Sequence, residues 1–555
     1  MSIFKERLTK LQPDTKNRRW LFVPYDQLSD AIGPLSREDP KSLGIVLVES
    51  AWKAARRPYH QQKLAMVISN LRHFALEQAS KGIAVRHMVT DTPYATALAP
   101  IIAELGSLRM MTPAERELRV DLQPLVKSGG IELVPHEGWV TSSTDFEQGE
   151  KQSPPWKMDA FYREIRRKTG ILMVGKKPDG GKFSHDADNR LAWKGTPPAP
   201  RVPSFPSNAI KEEVGRLIRD DFSHHPGRLN LDRLPCTRED AQTLWQWAKK
   251  ECLLNFGPYE DAMSKHSRGL FHTRISALIN LHRLLPYRCV QDTVTMDLPL
   301  ASKEGFIRQV IGWREFVHHV HVATDGFRNL PHGRPPGKET PGDGGYQRWK
   351  GHVWKIHRFE NDPDGGAAPS YLENKTPLPP AFWGETSGFY CLDQVVSSVW
   401  EEGYSHHITR LMILANLATL LDVSPRELTD WFWVAYTDAY DWVVEPNVLG
   451  MGTYALGDLM TTKPYVSGTP YIQKMSDYCG SCAFDPKKNC PISRLYWAFL
   501  SRHAEGFREN LRMKLPLATL KKRSKNERLK DDTTFKRVKG VLLSGERVTP
   551  EKLLT

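Results

Sequence analysis

Four cysteines carry the first chemical signal in the sequence. Cys479, Cys482 and Cys490 form a C-x2-C-x7-C run in DYCGSCAFDPKKNCP. A CxxC turn brings two thiolates onto one metal centre. A third cysteine after seven intervening residues fits neither a free thiol nor the paired knuckles of a zinc finger. Pro491 follows Cys490 directly, as proline does in many iron–sulfur loops. Cys391, ahead of an apolar run in ETSGFYCLDQVV, is the candidate fourth ligand. Spacing alone admits an iron–sulfur cluster, a structural zinc, or redox or unliganded thiols. Cys236, Cys252 and Cys289 are scattered and read as ordinary buried thiols. The second signal is His406–His407 in YSHHITRLM. At consecutive helical positions the two side chains diverge by about 100°, so one can face a cavity while the other packs.

These residues need a scaffold, and 555 residues are too many for one core. Residues 1–150 read as an α/β domain with a mainly parallel sheet. RRWLFVPY, LGIVLVES, IAVRHMV and IELVP are strand-like, and KLAMVISNLRHFALEQASKG is an amphipathic helix stopped at Gly82. The first strand is followed by no GxGxxG, so a dinucleotide fingerprint is absent. A connector is expected over 151–215, containing a helix that ends near Gly170 and the Pro-rich stretch 194–208. A large helical domain follows over 216–515, with a Pro/Gly-dense inserted loop at 321–380. Residues 516–555 read as a basic tail: from Arg512 onward there are 13 Lys/Arg against 5 Asp/Glu. The tail is read as a nucleic-acid-facing segment or a solvated, poorly ordered end. The net charge of +13 favours a polyanionic partner. MSIFKERLTK lacks an apolar signal core and no run approaches a membrane span, so a cytoplasmic protein is expected.

The chain resembles the iron–sulfur bacterial cryptochromes and photolyases, the prokaryotic (6-4) photolyases. The likeness rests on YDQLS, NLRHFA, FYREIRRKTGILM, FGPYEDAM, EGFIRQVIGWREF, YSHHITRLM, DAYDWV and the cysteine cluster, in that order along nearly the whole chain. It implies an α/β antenna domain, a connector and a helical FAD domain. It also implies a [4Fe–4S] cluster on Cys391, Cys479, Cys482 and Cys490. The activity implied is light-driven repair of (6-4) photoproducts in UV-damaged DNA by a monomer, with cryptochrome-type signalling as the alternative. On this resemblance His406 and His407 serve the lesion, because a hydroxyl must migrate and a histidine near neutrality can move its proton.

The same resemblance implies a FAD site made by Tyr259, Ser276, Asn280, Arg308, Gln309, Trp313, Arg314, Arg410, Asn416, Asp438, Asp441 and Asn447. Trp383 and Trp431 stand where relatives carry electron-transfer aromatics. Phe432 stands where tyrosine is common, which puts the outer hop in doubt unless Trp433, Tyr436 or Tyr440 replaces it. An antenna of 6,7-dimethyl-8-ribityllumazine is implied, with Asp26 and Glu49 as its polar anchors.

Overall fold

The computed structural model describes residues 2–149, 154–331 and 366–554. Its sheet has five strands: β1 (Arg19–Phe22), β2 (Leu43–Ser50), β3 (Ala84–Thr90), β4 (Leu108–Met111) and β5 (Ile131–Val134). All pair in parallel, in the order β3-β2-β1-β4-β5. The interior strand β2 is buried along almost its whole length, as expected where helices cover both faces of a parallel sheet. Gly44 of β2 sits in register with Trp20 of β1, and a Cβ there would come within 2.5 Å of the indole. The sequence reading located four of these strands. The short LRMM of β4 has no period-2 pattern to reveal it.

Strand order reverses between β1 and β4, and in open α/β sheets that reversal leaves a crevice beyond the carboxyl ends of the strands. Asp26 follows β1 and Glu115 follows β4, so both stand beside it. The helix Gln61–Ser80 covers one side of the sheet. It starts on His60, whose ring accepts the Gln62 amide, and Gly82 beyond its end takes φ +86°.

The rest of the described chain is largely helical. The connector helix Met158–Thr169 ends at Gly170 in the left-handed conformation, and the Pro-rich 194–208 runs without regular structure until Asn208 caps the helix Ala209–Asp221. Two later helical rods each contain a widened, π-helical turn. One runs Leu300–Ile307, Arg308–Arg314, Glu315–Ala323; the other runs His407–Thr409, Arg410–Ala415, Asn416–Leu420. Wide turns shift the register of the side chains after them and recur at functional sites. Here they carry Arg308, Gln309, Trp313, Arg314 and Arg410. One continuous core joins the sheet region to the helical region.

One expectation changes. Residues 516–555 contain the helices Lys525–Leu543 and Pro550–Leu554. Phe535, Val538 and Leu542 are buried, and Asp531 bonds Arg494 and Arg523. Those apolar positions recur with helical spacing and give the basic segment a face to bury. Of the inserted stretch 321–380, residues 332–365 lie outside the described residues. Among the described residues no helix is long and apolar enough to cross a membrane.

Candidate functional site

Asp438, buried just beyond the helix Pro425–Ala435, is the hub of the first polar group. Arg410 donates to it through two nitrogens, at 3.0 and 2.9 Å. Asn280 donates to its carbonyl at 2.9 Å, and Ser276 bonds its carboxylate. Burial works to raise the Asp438 pKa, but the Arg410 charge and the hydrogen bonds of Arg410 and Ser276 outweigh it, leaving the carboxyl below its usual range. Arg314 extends the group, with Nε 3.4 Å from Asn280 and the guanidinium 4.1 Å from the centre of the Trp139 ring. Burial lowers the Arg314 pKa to about 10.

Glu260 is the second hub. It accepts from Gln309 at 2.6 Å and from Asn189 at 2.7 Å, and it pairs with Arg308 at 3.4 Å. Arg308 also pairs with Asp186 at 2.9 Å and Glu304 at 3.4 Å. The Glu260 carbonyl lies 3.1 Å from Nε2 of His272. That ring stacks on His406 at 4.4 Å and 9°, and meets His407 edge-on at 5.2 Å. His406 is not a helical residue: it caps the helix with φ −77° and ψ 165°, and His407 is the first helical position. Both rings therefore converge on His272 instead of diverging. His406 is 3% exposed and His407 half-buried.

The pKa near neutrality expected for this pair does not hold in the free protein. Burial, then Arg308 and Arg410, lowers the His407 pKa to about 4. Burial, then His272 and His407, takes His406 well below its ordinary value, and burial lowers His272 to about 3. All three rings are neutral at pH 7. Glu260 and His272 were not among the expected site residues, although Glu260 lies inside FGPYEDAM.

Aromatic rings lead away from the first hub. The Arg410 guanidinium lies 3.9 Å from the centre of the Tyr436 ring. Tyr436 packs against Trp431 at 6.1 Å, Trp431 against Trp400 at 5.8 Å, and Trp400 stacks on Trp383 at 5.5 Å and 19°. Phe432 stacks on Tyr436 at 5.3 Å. Tyr440 leaves this run: it stacks on Tyr25 of the sheet region at 6.3 Å. Trp433 lies under Arg57 at 3.9 Å. Trp400 has no motif around it and was not anticipated.

Several other expected residues make their contacts elsewhere. Tyr259 bonds the Thr196 carbonyl at 3.2 Å and packs on Phe271. Trp313 meets Phe316 edge-on at 6.2 Å. Asn416 ties down the Ser467 backbone, and Asn447 bonds the Val443 carbonyl. Asp441 accepts the Glu117 amide at 3.1 Å, facing the sheet region.

All four cysteines line one pocket, with Phe389, Thr469, Ile472, Tyr478, Phe484, Pro486 and Ile492. Among the described residues no three or more His, Cys, Asp or Glu are grouped so as to hold a metal ion. Burial, then the other three thiols, pushes the Cys391 pKa well up, and burial, then Cys490 and Cys482, raises Cys479 to about 11.

The two antenna anchors part company. Glu49 is held by Arg72 at 2.7 and 2.8 Å and by His87 at 2.9 Å. Both Asp26 carboxylate oxygens are buried with no hydrogen-bond partner among the described residues. Burial, then the Asp441 charge, raises Asp26 to about 7. Beside it Tyr25 donates to Glu115, and Lys53 pairs with Glu115 at 3.0 Å.

A doubly wound sheet followed by a helical body with an Arg–Asp hub, a histidine group, an aromatic run and a four-thiol cavity is the architecture to be placed among known proteins. The family model for deoxyribodipyrimidine photo-lyase-related proteins matches residues 21–233. The chain is 32% identical over 521 residues to a (6-4) photolyase of Agrobacterium fabrum, covering 91% of this chain and 95% of that one. A 97-residue stretch is 34% identical to an uncharacterized mimivirus protein, covering 18% of this chain and 76% of that one. A crystal structure of a bacterial class III photolyase from Agrobacterium tumefaciens aligns over 95% of this chain and 99% of that one, with a TM-score of 0.49 and 14% identity. The chain belongs to the family of the prokaryotic (6-4) photolyases.

Proposed function

We propose that this protein is a light-dependent (6-4) photolyase, a monomer of the cytoplasm acting on UV-damaged DNA with little sequence preference. The observation that carries the reading is the His272–His406–His407 group beside Arg308 and Arg410, in a chain that matches a (6-4) photolyase along almost its full length. FAD, when bound, supplies the light-driven one-electron chemistry. Ser276, Asn280, Arg314, Arg410 and Asp438 would hold it on one side and Arg308 and Gln309 on the other. Hydrogen-bond donors outnumber acceptors in that set, which suits an anionic cofactor.

His407 is assigned the proton. Its ring is neutral in the free protein, and burial with two flanking arginines keeps it so. A DNA backbone brings negative charge, which raises the pKa of a nearby imidazole and lets it donate a proton to the migrating hydroxyl and take it back. His406, more deeply buried and stacked on His272, positions its neighbour. A damaged dinucleotide leaves the stack cheaply because its pairing is already disturbed. The net charge of +13 supports phosphate contacts whose affinity falls with salt.

Two further groups belong to the proposal. A [4Fe–4S] cluster on Cys391, Cys479, Cys482 and Cys490 suits a cavity whose lining holds four thiols and no carboxylate. A 6,7-dimethyl-8-ribityllumazine antenna suits the crevice beside Asp26, whose buried carboxylate oxygens can accept hydrogen bonds from it. Glu49, committed to Arg72 and His87, is left out of that pocket.

The test is illumination of a defined oligonucleotide carrying one (6-4) photoproduct, with the flavin chemically reduced beforehand. Restored pyrimidines support the assignment; a flavin-loaded protein that repairs none of the lesion under light refutes it.

A further inference from the structure

The aromatic run contains a ring that neither the motifs nor the expected pair Trp383 and Trp431 account for. Trp400 lies near the end of the helix Tyr390–Glu402 and packs 5.8 Å from Trp431 on one side and 5.5 Å from Trp383 on the other. Its indole N–H and that of Trp431 both donate to the carbonyl of Phe382, at 2.9 and 2.8 Å. One carbonyl dipole thus points its negative end at both rings, which favours a positive charge on either.

Exposure gives the run a direction. Trp431 is fully buried and Trp383 is 6% exposed, whereas Trp400 is only partly buried. A charge in a dry interior costs far more than one that water can reach. His60 lies parallel to Trp400 at 6.0 Å, with Nε2 3.1 Å from the Trp400 carbonyl. Burial lowers the His60 pKa to about 4, so that ring brings no positive charge at neutral pH.

We propose that Trp400 is the electron-transfer residue that links Trp431 to Trp383 and to solvent, taking over the outer hop that Phe432 cannot provide. The inference rests on the flavoprotein reading above. One electron leaves Trp431 for the flavin site, and Trp400 refills Trp431 and becomes the oxidised ring. A thiol reductant in solution then returns one electron to Trp400, losing its proton to water. Phe432 has too high an ionisation energy to hold the charge and serves as packing against Tyr436.

The experiment compares FAD-loaded parent, Trp400→Phe, Trp400→Tyr and Trp383→Phe under blue light with a thiol donor. Transient absorption follows the tryptophan radical, and flavin content and melting temperature are recorded for each. Trp400→Phe should keep its flavin, lose the long-lived radical and photoreduce at least about tenfold more slowly. Trp400→Tyr, still oxidisable, should recover part of that rate, and Trp383→Phe should lose less than Trp400→Phe. Parental radical yield and rate in Trp400→Phe overturn the proposal. A second readout is independent of how the variants fold. The parent is illuminated in air and digested, and oxygen adducts mapped by mass spectrometry should collect on Trp400 ahead of Trp431 and Trp383; an unmodified Trp400 overturns it. A parent that binds no flavin refutes the underlying reading, and the inference with it.

Discussion

Replacing Asp438 by Ala removes the hub of the first polar group and leaves Arg410 without its two-pronged partner. Deleting one member of a buried ion pair costs about 3–5 kcal/mol, because the remaining charge stays desolvated. The Arg410 side chain keeps 21% of its exposure, so water takes up part of that penalty and the lower end, ~3 kcal/mol, applies. Asp438→Asn keeps one acceptor oxygen and should lose about half as much. The Asn280 bond goes to the backbone carbonyl and survives both changes. The sign of the pH dependence follows from the lowered pKa. The carboxylate's contribution is complete above the unfolded value of about 4, and it fades as pH falls through the lower folded value. Urea unfolding followed by far-UV circular dichroism, at pH 7 and at pH 3, measures both effects, with flavin retention read by absorbance. The alanine variant should unfold earlier at pH 7, by an amount that shrinks at pH 3, and should bind FAD more weakly. Unfolding within about 0.5 kcal/mol of the parent at pH 7 would show that the Arg410–Asp438 pair does not organise the site.

Three further outcomes are expected. His407→Ala should abolish (6-4) repair by pre-reduced enzyme while flavin content is unchanged; full repair would remove the histidine from the chemistry, and loss of flavin would make it a pocket residue. The three histidines have folded pKa values below the unfolded 6.5, so the unfolded chain binds more protons at mildly acid pH. Stability should fall as pH drops from 6.5 toward about 4, and a His272→Phe variant should show a shallower slope in the same melts. Cys391→Ser should lose iron and acid-labile sulfide together and destabilise the helical region, since the cavity joins the helix Tyr390–Glu402 to the loop of residues 479–490; one equivalent of zinc without sulfide in the parent would replace the cluster by a mononuclear site.

Local chemistry made much of this protein legible in one dimension. The CxxC turn and its following Cys-Pro announce thiols gathered around one pocket, because residues close in sequence must be close in space. The run LGIVLVES declares a doubly covered strand because only burial on both faces tolerates six apolar or small residues in a row. Gly82 and Gly170 mark helix ends because each sits where a left-handed residue is required. Other features came from tertiary structure alone. Trp400 becomes part of an aromatic run only when the helix Tyr390–Glu402 packs beside Trp431. Glu260 becomes a hub only when Arg308 and Gln309, Asn189, and His272 reach it from three separate segments. The histidine pair was read with the wrong backbone and too high a proton affinity, for one physical reason. Sequence specifies which groups can ionise and which residues can be helical. Burial, neighbouring arginines and the exact start of a helix exist only once the chain is packed, and these set the proton affinity and aim of His406 and His407.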